Sequence, residues 1–254
     1  MKIVNWLVLG SVFFMMAGCA PAPYKHLEQD ARIHFEETEV VLAVPQEEIY
    51  GDINSSNMTA AAGGGLLFAL IDAMVESGRA KNAEKSVSPL RDKLLDYDYA
   101  QVLASEINGQ IKKIDWLSAK DVTLERSVND TWVKDKVSSS NSSAVLLMSA
   151  KYHLSPNLDL VETIVNLQMF PNTESLEEFK EKQDADVSVI NNSDNIYRNI
   201  ITVSTTLFSG ASKEENQQAL HADDGTKVKD ALNRNAKEAA YKIYQDLNTS
   251  ALDK

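Results

Sequence analysis

Cysteine is all but missing from this chain: Cys19 is the single one in 254 residues. No disulfide can close inside the chain. A folded domain must therefore stand on its packed core alone, even in an oxidising compartment. Basic residues are also short, with 25 Lys and Arg against 37 Asp and Glu and a net charge of −12. So acidic a chain lacks the basic footprint that nucleic acid requires, and it has no electrostatic hold on anionic lipid. The six prolines and ten glycines build no internal linker, which points to one domain.

The motifs of familiar chemistry are missing too. His26, His34, His153 and His221 have no second His, Cys or acid at metal-ligand spacing. His34 and His153 fall in strand-like stretches and read as structural. No Gly-x-Ser-x-Gly turn presents a nucleophile. Asp223-Asp224-Gly225 lacks the further ligands of a calcium loop and reads as the turn before a helix. Asp96 and Asp98 have no third ligand nearby and read as solvated carboxylates. The sequence nominates no catalytic residue, no metal ligand and no cofactor.

What is present begins at the amino terminus. Met1-Lys2 carries one positive charge, Ile3 to Met16 is apolar and uncharged, and Ala17-Gly18-Cys19 follows. A charged start and an apolar centre are the parts of a secretory signal. The centre is shorter than the ~20 residues of a transmembrane helix, and Pro21 and Pro23 block its helical extension. Ala17 and Gly18 are small, so a peptidase can hold the backbone closely. Cys19 supplies a thiol able to take a thioether-linked diacylglycerol. The competing reading is an ordinary secretory signal, but Ala20-Pro21-Ala22 is a poor cleavage frame because of its proline.

Met16-Ala17-Gly18-Cys19 closely resembles the lipobox of bacterial lipoproteins, with Met16 where Leu is commonest. The resemblance implies a signal peptide over 1–18, cleavage between Gly18 and Cys19, and acylation of Cys19. Ala20, where an aspartate would favour inner-membrane retention, implies the outer membrane on its periplasmic side. Residues 19–30 would then be a lipidated tether and 31–250 a single periplasmic domain. Loss of Lys2 takes the net charge to about −13, so the membrane would be held through the acyl chains on Cys19.

Within the domain, Ile33–Val44 reads as a strand ended by Pro45, and Gln46–Asn57 as a polar loop. Gly63-Gly64-Gly65 precedes an apolar run in which Leu66, Leu70 and Met74 share one helical stripe. Three glycines weaken a helix by about 1 kcal/mol each relative to alanine. The stretch reads either as a loop feeding a core helix or as a small-residue face for a partner helix or membrane. Phosphate binding fails because Gly65 leads to Leu66-Leu67, not Lys-Ser/Thr. A helix starts at Ser88-Pro89 and runs to Ile114, with a kink possible at Asp96–Tyr99. Val122–Leu124 is a short strand, and Asp130–Ser143 is polar loop. Ala144–Ala150 and Leu158–Phe170 read as a hairpin turned at Ser155-Pro156-Asn157. Thr173–Lys182 reads as a helix and Ile196–Phe208 as a strand. The clearest helix is Thr226–Leu247, striped by Val228, Leu232, Ala236, Ala239, Ile243 and Leu247.

This order predicts an α+β fold: a mixed, mainly antiparallel sheet with helices packed on one face. The run from the helix ending near Ile114 through the strands Val122–Leu124, Ala144–Ala150 and Leu158–Phe170 resembles accessory envelope lipoproteins that share the amino-terminal fold of TolB. The resemblance spans roughly 32–208 as an order of elements, with the glycine run and Asp130–Ser143 outside it. It implies a non-catalytic adaptor with a protein partner in the envelope, and it carries over no functional residue beyond Cys19. The alternative is a hydrolase or ligand carrier acting on cell-wall or lipid material.

Overall fold

One strand is covered on both faces, and the sheet is arranged around it. Ala144–Leu154 is buried along its whole length, and its first half, Ala144–Met148, is apolar on both faces. The computed structural model describes residues 24–51, 81–180, 194–209 and 212–249. Gly18 and Cys19, expected as the cleavage and lipidation site, and the stretch holding Gly63, Gly64, Gly65, Leu66, Leu70 and Met74, lie outside these.

The strands are β1 (Thr38–Ala43), β2 (Tyr50–Gly51), β3 (Thr123–Glu125), β4 (Ala144–Leu154), β5 (Leu160–Pro171) and β6 (Tyr197–Thr206). They form one six-stranded mixed sheet in the order β3-β1-β4-β5-β6, with β2 continuing along β4 where β1 leaves it. β4–β5 and β5–β6 are long antiparallel pairs, while β1, β2 and β3 enter through parallel pairings. The fold is α+β. The hairpin turn at Ser155–Asp159 is closed by Ser155 Oγ, which accepts from the backbone N–H of Asp159 at 3.1 Å.

Alternation along β4 sorts its side chains. Ala144, Leu146, Met148, Ala150, Tyr152 and Leu154 join the main core, together with Val40 and Leu42 of β1. That core is closed by three helices, α1 (Lys81–Leu94), α2 (Tyr99–Ile111) and the long carboxyl-terminal helix, α6 (Thr226–Asn248). All six positions of the expected α6 stripe are buried. Its alanines let it lie close on β5 and β6. Gly225 begins it with φ 87°, a left-handed conformation glycine adopts without a Cβ penalty. Within the main core, Asn235 donates to Val161 O at 3.1 Å and accepts from Thr205 Oγ1 at 2.6 Å, pinning α6 to two strands.

Other boundaries differ from the sequence reading. Ile33 and His34 end a 3₁₀ turn (Gln29–His34), and β1 starts only at Thr38. The helix expected from Ser88 begins earlier, at Lys81, and encloses Pro89. It ends at Leu94, and a separate helix, α2, starts after Asp98, which accepts from Gln101 N at 3.0 Å as its N-cap. The polar Asp130–Ser143 contains a helix, α3 (Trp132–Ser139), lying on the opposite sheet face. Trp132 and Val133, with Val137 packed beside them, hold it against Val41, Ala43, Val145, Leu147 and Phe170. The helix expected over Thr173–Lys182 is one turn, α4 (Glu174–Glu177). Helix α5 (Lys213–Ala222) buries only Asn216 and Leu220, so periodicity does not announce it; its signal is the Ser212–Glu215 capping box.

Replacing Asn235 by Ala strands buried groups on both strands. Asn235→Ala should lower stability by about 1–3 kcal/mol in urea denaturation, with an unchanged denaturant slope. An unaltered midpoint would show that the network adds nothing.

Candidate functional site

Three surfaces of the described residues gather polar groups. The first is a cleft of about 230 Å³ lined by Tyr97, Tyr99, Tyr152, Leu94, Leu232 and Ile49, with Glu47, Glu48 and Arg91. Asp98 caps the helix that begins with Tyr99. Tyr99 Oη shares a hydrogen bond with Thr163 Oγ1 at 2.8 Å, and its ring meets Tyr152 edge-on at 4.6 Å. Tyr97 donates to Asn233 Oδ1 at 2.9 Å. Burial, reinforced by the nearby Asp230 carboxylate, pushes the Tyr97 phenol up to about 12. Burial raises those of Tyr99 and Tyr152 as well. Arg91 Nε donates to Ile49 O at 2.8 Å and lies 3.2 Å from Glu48 Oε2. The tyrosines are therefore neutral at ordinary pH. With aliphatic neighbours beside them, the cleft can take an apolar or aromatic group.

The second is the sheet face opposite α6. Past Leu147 its side chains on β4 turn polar: Ser149, Lys151 and His153, all buried. Ser149 stands opposite Asn166, and Gln168 opposite Leu147 and Arg198. Among the described residues, Ser149 Oγ, Asn166 Nδ2 and Gln168 Nε2 have no hydrogen-bond partner, an arrangement that ordinarily costs stability. On the same face β6 exposes Ile200, Thr202 and Ser204. β6 is also an end strand. Among the described residues, its outer edge pairs only with Lys25, at Arg198, and Lys242 Nζ reaches Thr202 O at 3.4 Å.

The third gathers around Asp246, in the last turns of α6. Tyr24 donates to its carboxylate at 2.8 Å, Tyr197 at 2.7 Å and Asn199 Nδ2 at 2.8 Å. Lys25 exchanges backbone hydrogen bonds with Arg198 at 3.0 Å, and its ammonium donates to Asn195 O at 2.8 Å. Arg32 lies over the Trp116 ring and donates to the carbonyls of Leu247 at 3.0 Å and Thr249 at 2.7 Å. A guanidinium there satisfies carbonyls that the helix end leaves open and complements its dipole. Burial, then Asp246, raises the phenols of both Tyr24 and Tyr197. Residues 24–30, expected as tether, are thus part of the domain.

The residues singled out in the sequence do not converge. Asp98 caps α2 and pairs with Arg126 at 2.6 Å, which holds its carboxyl below the usual range. His34 lies 5.8 Å from the Phe179 ring, and His153 is buried in β4, 3.5 Å from Glu162. Among the described residues no group of three or more His, Cys, Asp or Glu could hold a metal ion, and no helix is long and apolar enough to cross a membrane. The Asp246 cluster escaped the sequence reading because Tyr24 lies 222 residues from Asp246 and Tyr197 lies 49 from it. The only local hint is a tyrosine and a lysine directly after Pro23.

No family model matches the chain, and no curated protein matches it. Solved structures similar to it include a candidate lipoprotein from Caulobacter crescentus, at 15% identity and a TM-score of 0.25, covering 58% of this chain and 79% of that one. A DUF330 protein from Xanthomonas campestris has 8% identity and a TM-score of 0.29, covering 89% and 90%. A PelC dodecamer from Paraburkholderia phytofirmans has 9% identity and a TM-score of 0.23, covering 82% and 92%. Likenesses this distant carry neither fold nor function across.

Five phenols, those of Tyr24, Tyr97, Tyr99, Tyr152 and Tyr197, are raised in the folded state. Above the unfolded value near 10 the unfolded chain binds fewer protons than the native one, so stability falls as pH rises further. Alkaline titration should show these tyrosines ionising together with cooperative unfolding. Free ionisation of all the tyrosines near pH 10 in a still-folded protein would contradict the burial.

Proposed function

We propose that this chain is a lipid-anchored envelope protein that serves as a non-catalytic accessory by contacting another envelope protein. The observation that carries the anchor is Met16-Ala17-Gly18-Cys19 closing an apolar segment. With Cys19 acylated, the protein sits on the periplasmic side of the outer membrane. The end strand β6 supports a protein-contacting role: among the described residues its outer edge pairs only with Lys25, it exposes Ile200, Thr202 and Ser204, and such edges accept a further strand. The Gly63–Met74 stretch is the second contact element in this reading, offering small residues beside an apolar stripe.

Cys19→Ala should abolish incorporation of labelled fatty acid and leave the precursor uncleaved. A labelled, processed variant would overturn the anchor. Photo-crosslinkers placed at Ser204 and Gly64 in cells should each capture a defined envelope protein. Capture of small cell-wall or lipid material alone would favour a ligand carrier, with the tyrosine cleft as its site.

A further inference from the structure

The chain enters the structure already fastened. Tyr24 is bound to Asp246, Lys25 to Arg198 and Asn195, and Arg32 to the last carbonyls of α6. Tyr24 is the fifth residue after Cys19. Five residues reach at most about 17 Å even when fully extended. A folded chain of roughly 230 residues has a radius of gyration of about 17 Å, so it is wider than this reach. A body so tied cannot turn freely above the surface that holds its tether.

The end nearest the tether also has the chemistry of a lipid contact. The 3₁₀ turn Gln29–His34 stands beside the end of α6 and carries Ile33, which is 83% exposed; Tyr24 is 38% exposed on the same end. A branched aliphatic and an amphipathic ring suit the boundary between headgroups and acyl chains. β4 and α6 fix which parts lie opposite. β4 starts near this end and rises to the Ser155–Asp159 turn, about 33 Å away at ~3.3 Å per residue, and Tyr152 of the tyrosine cleft is near its top.

We propose that the end formed by Gln29–His34 and the carboxyl end of α6 rests on the phospholipid surface that holds the Cys19 acyl chains, and that the Tyr24–Arg32 clamp fixes this orientation. It rests on the acylation of Cys19. The tyrosine cleft and the β4–β5 turn then face away from the bilayer, toward the compartment where a partner would be met.

The test uses the full acylated protein in phosphatidylcholine vesicles carrying a nitroxide on the headgroup. The Cys19 thiol is consumed by its thioether, so Ile33→Cys and Asn157→Cys each offer one labelling site; both positions are exposed, and melting curves confirm folding. A fluorophore at position 33 should lose most of its emission, while one at 157 keeps most of its own. Equal quenching at both positions would overturn the orientation. Failure of the unquenched protein to float with vesicles would instead overturn acylation. Inserting about 20 Gly/Ser residues between Ala22 and Pro23, a flexible spacer, should restore emission at 33. Quenching that persists would overturn the short tether and clamp as the orienting device.

Discussion

Burial of β4 on both faces is the constraint on which the other elements depend. Its even-numbered side chains must meet an apolar layer along their full length, which α1, α2 and α6 provide. The odd-numbered ones are apolar only at Val145 and Leu147, and α3 covers that much. Beyond them the face becomes Ser149, Lys151 and His153. The helices are therefore unequal because the strand's two faces are unequal.

The two ends of the described chain meet at the carboxyl end of α6. Helix ends leave carbonyls unpaired, and here Arg32 supplies donors for them. Asp246 draws hydrogen bonds from Tyr24, Tyr197 and Asn199, so the first described residue, the end strand β6 and the last helix share one carboxylate. An anchor placed just ahead of Tyr24 would pull on this junction, not on a loose end. Mechanical attachment and fold stability would then depend on the same few hydrogen bonds.

The cleft near the far end has a different character. Its tyrosines are buried enough to stay protonated, and its cation is paired. Such walls select by shape and apolar contact. In the proposed role the β6 edge would select by backbone hydrogen bonds. Both fit recognition.

Much of the architecture was legible where a segment's own pattern decides its fate. Buried strands such as Ala144–Ala150, the hairpin turn and the α6 stripe declare themselves because a strand buried on both faces, or a helix buried on one, must be apolar at fixed spacing. Gln29–His34, α3 and α5 did not, because three or fewer apolar residues of each reach a core and their placement is set by distant partners. The same division holds for function. The sequence alone determined the lipobox-like run at Met16–Cys19 and the acidic balance, because both are local or additive properties of residues. Only the tertiary structure decided that Tyr24, Arg32 and Asp246 form one junction, and that three tyrosines wall one cleft. Those groups are separated along the chain, and only the packing of α6 across the sheet brings them within hydrogen-bonding distance.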